Sequence, residues 1–320
     1  MAIADQIITD KYAIYNGDCV EVLPDIKAES VHISVYSPPF SELYNYSSSE
    51  RDLSNCKSYE EFLEHYRFVV EQIHRVTLPG RITCVHCMDI PQKGDTGLLD
   101  FPGDIIRMHE DVGFYYTGRR SIWKEPLRVA IRTRAKGLMH RQIVKDSSLC
   151  DVAGADYLLS FRKHGTNKTP IEHRLGLSVY AGSDGPDAAL MRKYRDWDEP
   201  KTNKLSHFIW QRYASSVWGD IRINNVLQYK SARDSEEEKH VCPLQLDVIY
   251  RCLDLWSNPG EVLLTPFMGV GSEVYASLRM GRKGVGVELK DTYFRQAAKN
   301  ISQVDQDIKH EESTLQLDGN

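Results

Sequence analysis

Thr265-Pro266-Phe267-Met268-Gly269-Val270-Gly271-Ser272 is the stretch that decides the fold. The residues before it, Glu261 to Leu264, read as a short strand. The residues after it, Glu273 to Met280, read as a helix that closes at Gly281-Arg282. Gly284-Val285-Gly286-Val287-Glu288 is then a second strand, and it ends in an acid. Glycines let a backbone approach a ligand closely, and the helix opening there offers free N–H groups. Glu288 follows Gly269 by 19 residues, close to the spacing of about 20 at which an acid grips ribose hydroxyls. A dinucleotide is one ligand for such a turn. Against it, the third glycine of a GxGxxG motif is Val274, and no residue that would hug a pyrophosphate is evident. A Phe-x-Gly-x-Gly turn suits an adenosyl ligand without a pyrophosphate. A tight strand-to-helix turn with no ligand is the third reading.

Outward from this turn, Leu244 to Trp256 is helical, with Leu246, Ile249, Leu253 and Trp256 on one face, and a last helix covers Thr292 to Ile301. At the other end of the chain, Ala13 to Asp18 is a short strand ending in a Gly-Asp turn, and Val20 to Leu23 is a short helix closed by Pro24. The strand Val31 to Tyr36 runs into Ser37-Pro38-Pro39-Phe40. Proline fixes φ and carries no N–H, so this is a rigid shelf at a strand's carboxyl end. A hydroxyl, a fixed carbonyl and an aromatic ring suit a flat base that carries an amino group. Tyr44 to Ser49 is a polar loop beside the shelf. Ser58 and Glu61 form a capping box, and Phe62, Tyr66, Val69, Val70, Ile73 and Val76 recur at helical spacing, which predicts a helix over Tyr59–Val76. Pro79-Gly80 ends it, Arg81 to His86 is the next strand, Asp104 to Glu110 is a helix, and Gly113 to Trp123 reads as two strand-like pieces around Gly118. The alternation of strands and helices gives an α/β fold with a mostly parallel sheet.

From Leu127 to Glu238 the pattern fades, and the segment reads as an insertion rather than core sheet. Between Lys124 and Arg174 there are eleven Lys or Arg against five Asp or Glu, although the net charge of the chain is −5. A local basic stretch binds phosphates whatever the global charge, and a solvated mixed-charge surface is the plain alternative. Trp197, Trp210 and Trp218 suit either the core of this subdomain or wedges between bases. Cys84 and Cys87 form a CxxC, but strand alternation puts them on opposite faces, which argues for buried thiols and against zinc. His86 and Asp89 end the strand beside the shelf, where His86 reads as a satisfied buried histidine. No apolar run approaches the ~20 residues of a membrane helix, and Met1 to Gln6 does not look like a signal peptide, so a cytoplasmic location is expected.

The glycine turn, Glu288 and Ser37-Pro38-Pro39-Phe40 together resemble the S-adenosylmethionine-dependent DNA amino-methyltransferases, which methylate the exocyclic nitrogen of cytosine or adenine. The resemblance covers Ala13 to about Ile301. The catalytic motif precedes the cofactor motif with a basic gap between, an order similar to the β group of the family. Trp210 to Trp218 and Thr265-Pro266-Phe267 resemble its phage and prophage branch. The resemblance implies a Rossmann-like methyltransferase fold. Residues 1–126 would be its catalytic half, 127–238 a target-recognition region, 239–301 its cofactor-binding half and 302–320 a disordered tail. It implies S-adenosyl-L-methionine as cofactor, held by Asp18, Cys19, Ser37, Pro243, Leu244, Gln245, Thr265, Phe267, Met268, Gly269, Gly271, Ser272 and Glu288. Ser37, Pro38, Pro39 and Phe40 would be catalytic. The partner implied is double-stranded DNA, met by Arg132, Arg134, Lys136, Arg141, Lys145, Lys163 and Lys168, with a homodimer compatible. No metal is expected.

Three positions depart from the family's pattern. Thr265 stands where Asp is common, Ser272 replaces the usual Thr, and Tyr36 replaces the Thr that often precedes Ser-Pro-Pro. The neutral Thr265 cannot hold the cofactor's ammonium by charge. Ser at position 37, in place of the Asp typical of adenine enzymes, points to cytosine N4, with adenine N6 the alternative. A DNA-binding homologue without turnover, and an enzyme acting on RNA or a protein glutamine, are the readings from other classes.

Overall fold

A computed structural model describes residues 3–39, 53–91, 97–133, 138–150, 154–185, 203–232, 243–304 and 306–307. In chain order the strands are β1 (Ile3–Ile8), β2 (Tyr12–Gly17), β3 (Val31–Tyr36), β4 (Thr77–Met88), β5 (Ile90–Pro91), β6 (Leu98–Leu99), β7 (Phe114–Ile122), β8 (Asp156–Lys163), β9 (Val217–Trp218), β10 (Val262–Thr265) and β11 (Lys283–Glu288). Except for the β5–β6 ladder they form one sheet in the order β1-β2-β11-β10-β3-β4-β8-β7-β9. The run from β2 to β4 is parallel, and β1 and β8 run antiparallel to their neighbours. The sheet is mostly parallel, as expected, and doubly wound.

Helices cover both faces. Phe62, Tyr66, Val69, Val70, Ile73 and Val76 of the Tyr59–Val76 helix all enter one buried cluster, as their spacing predicts. The capping box forms in a shifted version: Ser58 Oγ accepts from Glu61 N at 3.2 Å, while the Glu61 carboxylate accepts from Lys57 N at 2.6 Å. The Leu246–Trp256, Ser272–Arg279 and Asp291–Ser302 helices build a second cluster on the other face. Cys84 enters the second cluster and Cys87 the first, on opposite faces of β4.

The sheet's winding reverses between β10 and β3. From β10 the chain crosses to β11 on one side, and from β3 to β4 on the other. In open α/β sheets the crevice outside the carboxyl ends at such a reversal is where ligands bind. Both sequence motifs follow these two strands.

Four expectations about the elements are corrected. Asp156–Lys163, placed in an irregular insertion, is a core strand between β4 and β7. It is flanked on both sides and buried on both faces, with Leu158 in one cluster and Leu159 and Phe161 in the other, so it lacks the alternation that reveals a half-buried strand. β4 begins at Thr77 rather than Arg81, and absorbs Pro79-Gly80 with Gly80 at φ 75°. β7 is one strand, not two, with a register shift at Tyr116/Gly118. Val304 packs into the second cluster and Tyr275 Oη donates to Asp307 at 2.7 Å, so the structure continues past Ser302.

Candidate active site

The cofactor motifs converge at the carboxyl ends of β10, β11 and β2. Gly269 and Gly271 take φ of 54° and 90°, which glycine adopts at little cost. Gly269 N donates to Glu288 Oε2 at 2.7 Å, and Lys290 N to Glu288 Oε1 at 2.8 Å. The acid that ends β11 therefore ties the glycine turn to the start of the last helix. Asn16 Nδ2 donates to the Glu288 carbonyl at 2.9 Å, which brings the Gly17-Asp18 turn alongside. Asp18 Oδ1 accepts from Val20 N at 2.9 Å and caps the Cys19–Val22 helix. Burial pushes the Cys19 thiol up, and the carboxylates of Asp18 and Glu288 add to it, so these three residues share one electrostatic neighbourhood.

Val274 in place of a third glycine is compensated on the facing strand. A Cβ on Gly284 would lie 2.8 Å from Val274 Cγ1, and one on Gly286 2.4 Å from Met268 Sδ. The close approach of helix and sheet is carried by the glycines of β11, not by the helix.

Pro243 and Leu244 lead into Gln245, the N-cap position of the Leu246–Trp256 helix. Gln245 Oε1, Thr265 Oγ1 and Ser272 Oγ are buried and have no hydrogen-bond partner among the described residues. Buried polar atoms are nearly always paired. Three orphans at positions assigned from sequence to one ligand fit a site built for a polar molecule.

The shelf sits beside this turn. Tyr36, the last residue of β3, is fully buried; Ser37 and Pro39 are half-buried and Pro38 is buried. Phe40 lies outside the described residues. Tyr36 Oη is 3.0 Å from Tyr66 Oη and 3.3 Å from His109 Nε2. Burial draws the His109 imidazole down to about 4, so it is neutral. Its Nδ1 lies 2.8 Å from the Ile105 carbonyl, to which only an N–H can donate, so Nε2 accepts from Tyr36. The Tyr36 ring is 5.9 Å, and the Tyr66 ring 6.3 Å, from the ring of Phe267 in the glycine turn. One aromatic bed thus supports both motifs.

His86 also faces the shelf. Its Nδ1 is 3.5 Å from Ser37 Oγ, at the outer limit of a hydrogen bond, and its Nε2 is 2.9 Å from Asp156 Oδ2. Lys124 Nζ pairs with the same carboxylate oxygen. Burial pushes the Asp156 carboxyl up, but His86 and Lys124 more than reverse this and hold it below the usual carboxylate range. Sequence reasoning noted His86 and missed its partners. Asp156 opens an unrecognised strand and Lys124 follows β7, and no local pattern joins them. Asp89 turns elsewhere and accepts from Tyr157 Oη at 3.4 Å.

The basic residues divide. Arg132 lies on the Pro126–Thr133 helix, Arg141 and Lys145 are exposed on the His140–Lys145 helix, and Arg134 and Lys136 lie outside the described residues. Lys163 does not join them. It ends β8 near the start of β4, with Nζ donating to the Thr77 carbonyl at 2.8 Å and 3.6 Å from Glu29, at the end of the strands opposite Ser37. Lys168, five residues on, is exposed beyond that same end. Of the expected tryptophans, Trp218 is core and Trp210 is 59% exposed. Among the described residues there is no cluster of three or more metal-ligating side chains and no helix long and apolar enough to cross a membrane.

Residues 31–299 match the family model of the N6/N4 DNA methylases. Relatives include Type II methyltransferase M.MjaI of Methanocaldococcus jannaschii, 24% identical over 311 residues with 88% of each chain covered. M.MthZI of Methanothermobacter thermautotrophicus is 22% identical over 287 residues, 84% of this chain and 70% of its own. The cytosine-N4-specific PvuII DNA methyltransferase superposes with a TM-score of 0.60 at 15% identity, over 93% of this chain and 89% of its own. A DNA modification methylase of Thermus thermophilus, in complex with S-adenosyl-L-methionine, superposes with a TM-score of 0.58 at 21% identity, over 92% of this chain and 95% of its own.

Proposed function

The chain belongs to the N6/N4 DNA methylase family, and we propose that it transfers a methyl group from S-adenosyl-L-methionine to the exocyclic N4 of a cytosine swung out of duplex DNA. The observation that carries this reading is the shared aromatic bed. Tyr36 and Phe267 pack together at 5.9 Å, so the Ser37 shelf and the glycine turn open on one crevice.

The glycine turn, Glu288 and Asp18 hold the nucleoside end of the methyl donor. Gln245, Thr265 and Ser272 offer it the polar atoms that the protein leaves unpaired. Thr265 does so through a hydroxyl and not a charge. When bound, the donor supplies an electrophilic methyl on sulfur.

A base amine is a poor nucleophile, because its lone pair is delocalised into the ring. Ser37 Oγ and the Pro38 carbonyl accept its two N–H groups, which draws the nitrogen toward tetrahedral geometry and localises the lone pair. Phe40 stacks on the ring. Positioning supplies much of the acceleration, and no covalent enzyme intermediate is needed. Swinging the base out costs roughly a few kcal/mol. Arg132, Arg134, Lys136, Arg141 and Lys145 meet phosphates, while Lys163 and Lys168, at the far end of the strands, do not.

Ser37 at the head of Pro38-Pro39-Phe40, in place of an Asp, favours cytosine. Tritium transfer from labelled S-adenosyl-L-methionine to unmethylated duplex DNA tests the activity. Label in DNA is expected; DNA binding without any transfer would leave a non-catalytic homologue, and label in RNA or protein alone would move the substrate class.

A further inference from the structure

A serine is an ambiguous partner for an amine. Its hydroxyl carries one donor and two acceptor lone pairs, whereas an aspartate carboxylate at the same place only accepts. If the Ser37 hydrogen pointed at the base, it would oppose the amine's own N–H groups. Something must turn that hydrogen away.

We infer that His86 does so, as a positioning residue whose tautomer is set by Asp156. This rests on Ser37 being the acceptor for the amine. The Asp156 carboxylate can only accept, and its Oδ2 lies 2.9 Å from His86 Nε2, a close contact without hydrogen-bond geometry, so a ring carrying one proton holds it on Nε2 beside the anion rather than on Nδ1. Lys124 Nζ on that same oxygen keeps the carboxylate ionised. Nδ1 is then a bare acceptor, 3.5 Å from Ser37 Oγ. The Ser37 hydroxyl donates its hydrogen to Nδ1, and its lone pairs are left for the amine. The chain Lys124–Asp156–His86–Ser37 makes a hydroxyl behave as an acceptor-only group. His86 is 7% exposed and Asp156 3%, so water has little access to the contact between them. The four residues come from β4, β8 and the segments just after β3 and β7, and their meeting depends on β8 lying between β4 and β7.

The test is single-turnover tritium transfer by the full chain at saturating DNA and S-adenosyl-L-methionine. His86→Ala is expected to lower the rate by about tenfold to a hundredfold. Affinity for S-adenosyl-L-methionine by calorimetry, and the half-saturating DNA concentration, should stay within about twofold, since His86 acts through Ser37. His86→Asn places an amide oxygen near the position of Nδ1 and should recover most of the rate. An unchanged rate in His86→Ala overturns the inference, as does a rate loss matched by equal losses in both affinities, or an Asn variant no faster than the Ala one. If His86→Ala loses its thermal transition, His86→Phe, which keeps the ring volume without an acceptor, replaces it in the same comparison. Ser37→Ala separates the acceptor role of Ser37 from its support by His86. Full activity there removes the acceptor role itself, whereas loss there with an unaffected His86→Ala removes only the part assigned to His86.

Discussion

Two acids mark the two halves of the site, Glu288 on the cofactor side and Asp156 behind the shelf, and they are held in opposite ways. Glu288 is satisfied by main chain: its carboxylate takes the amides of Gly269 and Lys290. Asp156 is satisfied by side chains: His86 and Lys124 converge on one of its oxygens in a buried setting. A main-chain cradle follows from one local run of strand, turn, helix and strand. A side-chain cluster exists only after separate strands have found their places. The first should therefore govern ligand affinity, and the second should govern both folding and the reactivity of Ser37.

The largest expected effect lies on the side-chain half. Asp156→Ala leaves the Lys124 ammonium buried without its partner, which costs about 3–5 kcal/mol, read from urea unfolding at neutral pH. The pH dependence has a definite sign. The Asp156 carboxyl is held below its ordinary 3.8, so its contribution is full above that value and is withdrawn as the pH falls below it. The gap between wild type and Asp156→Ala should be constant from neutral pH down to about 4 and narrow on further acidification. A gap that widens there would put the carboxyl in the opposite protonation regime.

Ser37→Ala comes next. Losing one of two acceptors for the amine should cost on the order of a hundredfold to a thousandfold in single-turnover rate, with S-adenosyl-L-methionine still binding by calorimetry. Glu288→Ala should show the converse pattern. Loss of charge-assisted bonds worth about 1.5–3 kcal/mol weakens the cofactor by about tenfold to a hundredfold, and unfolding in urea should shift far less than for Asp156→Ala. If both acids moved stability and affinity equally, the contrast between the two halves would collapse. The smallest effect belongs to the basic residues. Lys145→Ala should weaken DNA binding and reduce its salt slope by about one, whereas Lys163→Ala should leave both unchanged in the same salt titration.

The same contrast explains what the sequence disclosed. The turn from Thr265 to Ser272, the acid at Glu288 and the helix at Tyr59–Val76 are set by periodicity, glycine placement and capping within short windows, and each lies where its residues suggest. Ser37-Pro38-Pro39 was legible because prolines announce a stop at a strand's end. β8 was not, because a strand buried on both faces shows no period of two, and its closing Lys163 read as a DNA contact. With β8 hidden, Asp156 had no place, and His86 read as an ordinary buried histidine. Lys163 was drawn into the DNA-binding set by composition alone, which reports charge but not the end of the strands at which the charge falls. The third glycine at Val274 was sought within its own motif, while the space it would provide is supplied by Gly284 and Gly286 across the helix–strand contact.

Mass spectrometry of nucleosides from unmethylated DNA treated with the protein and S-adenosyl-L-methionine is the most direct test, because it reads activity and target base together. N4-methylcytosine, absent when Ser37→Ala replaces the wild type, is the predicted result. N6-methyladenine in its place, or N4-methylcytosine undiminished in the Ser37→Ala reaction, would contradict it.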